Sequence, residues 1–483
     1  MYNNRLFSKI KNIKNKEIFF LIPIIILVCF LTFFPHFKYP YPLHVDEWFH
    51  VSQAKQIVLQ SDVNWYTGEN FELGLERAWH SFLAAVNFIF RPSITQWIYL
   101  PTILHLFGVL SVFYFVYKLF SKKEALIASL LVALLPSNVT MGGPVFLIPL
   151  NLGLIFIPLA LVFAFRLTKI KPVYNYFLLF LINSFLLYAH PPTAMVLLLI
   201  LGVFFLLNIF SKNDEYKKNA KYLFITIILS IFLSIPNFIA EIQKKALQSI
   251  TFDFWVYLQA VPLLFGLIPT IFFLVGFYYL TKKRRKEIWS LLLASIILII
   301  NILIFSISGL TIILPYQRTH IPLFILMSIV ASYGFTKLLD FKKPYKKIGI
   351  ILLVIFLVAT TSVAVHRNID TSYYNIIGEE EYDDFLWIKS NTPRDAIIIA
   401  DPWKARALAP IAERRVYTVL PFGPETEQMI KVNQAINFFA NNCTNTTFLI
   451  KNKITHVYTA GYCQNQDLIL IRENFYKVNV ELD

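Results

Sequence analysis

The sequence predicts an α-helical polytopic membrane protein, with about eleven transmembrane helices followed by a small C-terminal α/β extracytoplasmic domain. Three observations carry that expectation. Hydrophobic residues make up 57% of the 483-residue chain and charged residues only 15%, with a mean hydropathy of +0.59. A soluble protein carries about 25% charged residues, so a soluble enzyme is excluded as a description of the whole chain. Second, apolar runs approaching the ~20 residues needed to cross a bilayer recur along the first three quarters of the chain. Third, the last segment, 367–483, has no such run and holds 15 acids against 12 bases.

The runs lie near 18–37, 97–119, 125–140, 145–165, 174–190, 192–210, 221–240, 256–280, 287–308, 320–339 and 347–365. The third is short. A further apolar stretch, 80–90, is too short to span and is expected at the interface. The first run is too long, and lacks a small-residue cleavage site, to be a removed signal peptide; it reads as a signal anchor.

Charge sets the orientation. The formal net charge is +15, but the basic residues are not spread as a nucleic-acid footprint. They gather in the N-terminal tail (Arg5, Lys9, Lys11, Lys14, Lys16) and in every second connection. These hold Lys122/Lys123, Arg166/Lys169/Lys171, Lys212/Lys217/Lys218/Lys221, Lys282 to Lys286, and Lys337 to Lys347. The positive-inside rule then places the N-terminus in the cytoplasm, and eleven spans place the C-terminus outside. The division expected is a membrane domain, 1–366, containing a first outer loop at 38–95, and a soluble domain, 367–483.

In that soluble segment, helices are expected at Glu379–Ser390 and Glu425–Asn442. Strands are expected at Ala396–Ala400, Arg415–Val419, Ile454–Thr459, Leu468–Ile471 and Tyr476–Val480. Alternating strands and helices indicate an α/β fold. Cys443 and Cys463 are its only cysteines, and an even pair in an exported segment suits a disulfide as well as two free thiols. The sequons at Asn138, Asn442 and Asn445 all fall on the outer side in this topology.

The chemistry is concentrated in the first outer loop, which carries six acids. It opens Tyr39-Pro-Tyr-Pro-Leu-His44-Val-Asp46-Glu47-Trp48-Phe-His50. Asp46 is expected to cap a helix running to about Leu59, with Glu47 in its first turn and His50 on the face of Asp46. A carboxylate beside apolar surface has a raised proton affinity and can accept a proton from an acceptor hydroxyl. The plain alternative is a helix cap with an acidic first turn.

His44-Val-Asp46-Glu47-Trp48-Phe resembles the first-loop acidic motif of the GT-C glycosyltransferases, in the His-x-Asp-Glu form of lipid-linked mannosyltransferase branches. The architecture is similar too: a cytoplasmic N-terminus, a long first outer loop, many spans and an outer C-terminal domain. The resemblance implies a donor of polyprenyl-phosphate-linked sugar and a lipid, glycan or protein acceptor, with membrane lipids as surroundings and no nucleic acid. It implies Asp46 as the acceptor-activating base and Glu47 as its support or substitute. It also implies a basic group for the carrier phosphate. Arg318, in Leu314-Pro-Tyr-Gln-Arg318-Thr-His320, is the first candidate, since arginine holds phosphate through paired hydrogen bonds. Lys244 and Arg77 are lesser candidates, and interfacial anchoring or snorkelling is the alternative for all three.

Eight of nine histidines, all but His105, fall outside or at the outer edge. His44, His50 and His190 are therefore candidates for substrate contact, and a hydrogen-bonded loop role is the alternative for His190. The residue types of His44, Asp46, His50 and His190 suit a metal. However, metal-dependent relatives use a second acidic pair in a later outer loop, which is missing here. No cofactor and no metal site are expected, and the mechanism expected is metal-independent general-base transfer. Two other classes stay open: a transporter or flippase of a lipid-linked substrate, and a non-catalytic assembly partner. The near absence of mid-span charge and of paired repeats disfavours the transporter.

Overall fold

The computed structural model describes residues 18–138, 141–166, 172–242, 261–309, 313–314, 316–340, 343–366, 374–420 and 426–479. By internal contacts the chain divides into two compact units, Met1–Lys38 with Tyr99–Arg367, and Tyr39–Ile98 with Asn368–Asp483.

The first unit is helical, and each of the eleven apolar runs coincides with a helix. Among the described residues, six helices are long and apolar enough to cross a membrane, and four shorter ones (among them Leu21–Phe37 and Asn151–Ala164) are apolar. The helix on the third run, Lys122–Ala133, has only 12 residues. The third and fourth runs are thus shorter as helices than as apolar stretches. Pro136, Gly142 and Gly143 interrupt them, and 134–138 and 141–150 are non-helical. At Gly143, φ is +133° and a Cβ would stand 2.5 Å from Ser137 Oγ. The loop is almost wholly buried. Its backbone is tied internally by Asn138 and Gly142, which exchange N–H···O bonds. Asn151 adds a side-chain bond to the Phe146 carbonyl at 2.6 Å. Irregular backbone among apolar helices is tolerated only where protein covers it.

Helix surfaces follow their surroundings. Residues 346–363 expose Ile350, Ile351, Val354, Ile355 and Val358, and Asp214–Ile242 exposes Phe224, Ile228, Leu229 and Phe232. Such bands need an apolar covering. The helix Tyr316–Leu339 has no such face: 89% of its apolar window is buried. It packs on Leu267–Thr281, Lys122–Ala133 and Lys286–Ser308. At its crossing with Leu267–Thr281 the backbones touch through Gly276 and Gly334. A Cβ on Gly334 would stand 2.0 Å from the Phe272 carbonyl oxygen, and one on Gly276 would stand 2.1 Å from that of Val330. Small residues at helix crossings are what close packing within a membrane requires. His105, the one histidine expected inside, is buried with Thr32 Oγ1 at 2.9 Å and the Val132 carbonyl at 3.1 Å.

The second unit contains a five-stranded sheet: β1 (Ile397–Ile399), β2 (Arg415–Val416), β3 (His456–Tyr458), β4 (Leu468–Arg472) and β5 (Phe475–Val478), in the order β2-β1-β3-β5-β4. β1 is parallel to both β2 and β3, and β5 is antiparallel to both β3 and β4. All five expected strands form, as do helices Glu379–Asn391 and Thr426–Ala440; helices Lys404–Ala412 and Thr446–Lys451 are additional. Ahead of the first of these, Asp401 accepts from the Trp403 and Lys404 N–H groups at 3.0 and 3.2 Å. Cys443 and Cys463 form a disulfide.

Composition assigns 38–95 to the membrane domain, whereas internal contacts group Tyr39–Ile98 with the sheet. Val416 donates its N–H to the Trp65 carbonyl at 2.8 Å. Tyr66 donates its hydroxyl to the Arg406 carbonyl at 2.8 Å. Lys55, buried, reaches the Pro410 carbonyl at 2.8 Å and the Glu413 carboxylate at 3.3 Å. Polarity along a chain reports which side of the membrane a segment lies on, not which distant segment it packs against.

Gly334→Val would force two helix backbones apart, an overpacking cost of about 2–3 kcal/mol or more. Gly202→Ala meets nothing within 4 Å and would be neutral or better. Thermal unfolding in detergent, with size-exclusion profiles, separates the two.

His456 lies stacked on Phe475 with rings 5.1 Å apart. Burial, with Lys477 and Arg414 adding, holds its imidazole down at about 4 from 6.5. The unfolded chain therefore binds this proton more readily, and stability present above pH 6.5 is lost as pH falls toward 4. His456→Gln would remove about 1–2 kcal/mol of the stability difference between pH 7 and pH 5, read from denaturant midpoints at the two pH values.

Candidate functional site

The first-loop helix runs Val45–Val58 and begins with a reciprocal cap. His44, not Asp46, is the N-cap residue. Its extended backbone starts the helix two residues earlier than expected. Its Nδ1 accepts the Asp46 N–H at 3.2 Å, and Glu47 Oε2 accepts the His44 N–H at 2.7 Å. This is a capping box with an imidazole in place of the usual hydroxyl.

The cap separates the two adjacent carboxylates. Glu47 is 1% exposed and engaged in the cap. Asp46 has a side chain 21% exposed, with His44 Nδ1 3.6 Å from its Oδ2. Both acids stand in the first turn, where the helix dipole favours negative charge. Only Asp46 presents an accessible oxygen. Tyr39, one residue into the unit, accepts the Ile377 N–H on its hydroxyl at 3.3 Å. Burial raises this phenol well above its ordinary range, so it remains neutral.

His50 is one turn further along. Its ring meets the second first-loop helix, Arg77–Phe90, with Nδ1 3.0 Å from His80 Nε2 and 3.9 Å from Glu76 Oε2. Glu76 is the residue before that helix, and the His80 N–H bonds to its carbonyl at 3.0 Å. Burial holds the His80 imidazole down at about 3. Phe49 lies 5.6 Å from both histidine rings, and Trp79 meets His50 edge-on at 6.0 Å. Glu76 and His80 were not among the site residues expected from sequence. Their i, i+4 spacing at a helix start was the signal that could have found them. Arg77 opens the same helix, with its Nε buried and without a hydrogen-bond partner among the described residues.

The remaining candidates belong to the helical unit. His190 is the N-cap of Pro191–Ile209: its Nδ1 accepts from the Thr193 N–H at 3.3 Å and lies 2.7 Å from Thr193 Oγ1. It is a buried helix cap. Arg318 is half-buried in the first turn of Tyr316–Leu339. It is near enough to His190 to act on it electrostatically. Its Nη1 would lie 3.9 Å from a Cβ placed on Gly142, so the buried segment 141–150 supplies its neighbourhood. Lys244 lies outside the described residues.

With that geometry in place, the chain shares its fold with solved structures of GT-C-type membrane glycosyltransferases. ArnT from Cupriavidus metallidurans bound to undecaprenyl phosphate matches with a TM-score of 0.62 and 13% identity, over 97% of this chain and 98% of that one. The Archaeoglobus fulgidus oligosaccharyltransferase AglB, in complex with an inhibitory peptide and a dolichol-phosphate, matches with a TM-score of 0.60 and 10% identity, over 90% and 69%. The mycobacterial arabinofuranosyltransferase AftD matches with a TM-score of 0.59 and 13% identity, over 90% of this chain and 34% of that one. No protein-family model and no curated protein sequence matches the chain.

Glu47→Ala removes a buried partner from the helix start and would cost about 1–2 kcal/mol. Asp46→Asn keeps the cap and would leave the melting temperature within a degree or two of wild type. Equal losses in a thermal unfolding comparison would contradict this division of labour.

Proposed function

We propose that this chain is a GT-C glycosyltransferase that moves a sugar from a polyprenyl-phosphate-linked donor to an acceptor hydroxyl or amide on the outer face of a membrane. The observation that carries the reading is the split between the two first-loop acids. Glu47 is engaged by its own helix start, while Asp46 stays accessible beside it. The fold shared with ArnT and AglB supports the class, and the undecaprenyl phosphate and dolichol-phosphate bound in those structures support the kind of carrier.

Asp46 takes the acceptor's proton as the acceptor atom attacks the anomeric carbon. The bond from that carbon to the phosphate oxygen breaks, and the electron pair leaves with the polyprenyl phosphate. The sugar inverts. The leaving group is already a weak base, so the step calls for no general acid. A positioned base of this kind contributes about 10²–10⁴ in rate. Arg318 holds the carrier phosphate, where its planar fork matches two phosphate oxygens. The orientation proposed has a cytoplasmic N-terminus, with residues 39–98 and 368–483 outside; the Cys443–Cys463 disulfide suits that compartment.

The test compares wild type, Asp46→Asn and Arg318→Lys in lipid, with radiolabelled polyprenyl-phosphate sugars and membrane extract as acceptor source. Transfer by wild type, reduced at least about 100-fold in Asp46→Asn with folding intact, is expected. Arg318→Lys would raise the donor KM more than it lowers kcat. Equal transfer by wild type and Asp46→Asn would overturn the base assignment. Labelled lipid crossing the bilayer without sugar transfer would overturn the enzyme reading in favour of a flippase.

A further inference from the structure

The cluster that the proposed chemistry leaves unused is His50, Glu76 and His80. One ligating atom from each lies within 4.8 Å of the others. The separations from His50 Nδ1 to His80 Nε2 and to Glu76 Oε2, 3.0 and 3.9 Å, bracket the spacing of donor atoms around one small divalent ion. Ligand bonds of about 2.0–2.2 Å place neighbouring donors roughly 3–3.5 Å apart. His50 and His80 are 4% and 2% exposed. Glu76 has a side chain 28% exposed, which leaves one side of the cluster open to a fourth ligand such as water.

The donor set is two imidazoles and one carboxylate. Imidazole nitrogens suit a borderline ion such as zinc, whereas magnesium and calcium take oxygen ligands. Three protein ligands plus one open position is a recurrent zinc arrangement. The surroundings fit as well: Phe49 and Trp79 wall the rings with apolar surface, as in sites where a dry shell surrounds the ligands.

We propose that His50, Glu76 and His80 form a zinc-type metal site that cross-links the two helices of the first loop. His50 comes from Val45–Val58, whereas Glu76 and His80 come from the start of Arg77–Phe90, so one ion fastens one helix to the other. None of the three is Asp46, which lies one turn before His50 on the same helix. The ion acts as a positioning element: it holds the helix that presents Asp46, and the ligands do not touch the reacting atoms. The proposal concerns this loop alone and stands whether or not the chain transfers sugars.

The experiment uses the full chain, purified in detergent with any affinity tag removed. Metal content is measured by elemental analysis. Melting temperature is measured after chelation and after adding back zinc or magnesium. The expected result is about one zinc per chain, a lower melting temperature after chelation, and recovery with zinc but not magnesium. His80→Gln and Glu76→Gln would each weaken zinc binding at least about 100-fold and abolish the zinc-dependent recovery. Glu76→Gln guards against a fold effect at buried His80, because its side chain is partly exposed. Folded wild type that holds no zinc and does not respond to it would overturn the proposal, leaving His50 and His80 as a plain imidazole pair. A zinc response unchanged in both variants would also overturn it, because the ion would then sit elsewhere.

Discussion

Backbone polar groups surrounded by hydrocarbon have no water to bond to, and each one left unpaired costs several kcal/mol. That constraint governs most of this molecule. It makes the apolar runs helical, because a helix satisfies its own N–H and C=O groups. It also explains why 134–138 and 141–150, where glycines and a proline prevent a helix, are largely buried and bonded to each other. Polar and ionisable residues are then crowded into the segments between and after the helices. The chemistry-bearing side chains are concentrated there for the same reason.

Within the first loop, a local rule decides which acid is available. Helix starts leave N–H groups without partners, and side chains that accept them are drawn in. In His44-Val-Asp46-Glu47 the capping box recruits the fourth residue, so the second of two chemically similar carboxylates becomes structural. The first is left with solvent access and the dipole of the helix end. One hydrogen bond, from the His44 N–H to Glu47, thus does more to assign roles than the motif does. A pair of adjacent acids in sequence is symmetric; the capped helix makes them unequal.

The two histidines next along illustrate the reverse case. His50 shares a helix face with Asp46 by spacing, yet its ring lies against His80 and Glu76 of another helix. His190, placed by its Pro-Pro neighbour at a helix end, caps that helix through Thr193. The cap at His190 is made three residues along its own chain, whereas the partner of His50 comes from a helix 30 positions away.

The sequence by itself determined the helical membrane architecture, the position of the polar segments, all five strands of the sheet and the acidic motif. These follow from hydrophobic period, run length and charge, which are local along the chain. Only the tertiary structure decided that Tyr39–Ile98 packs with the C-terminal sheet through Trp65, Tyr66 and Lys55. It alone cut the third and fourth runs to short helices around a buried loop, brought His50 to Glu76 and His80, and bonded Cys443 to Cys463. Those outcomes depend on contacts between residues tens to hundreds of positions apart. Periodicity and composition, read along one chain, contain no term for them.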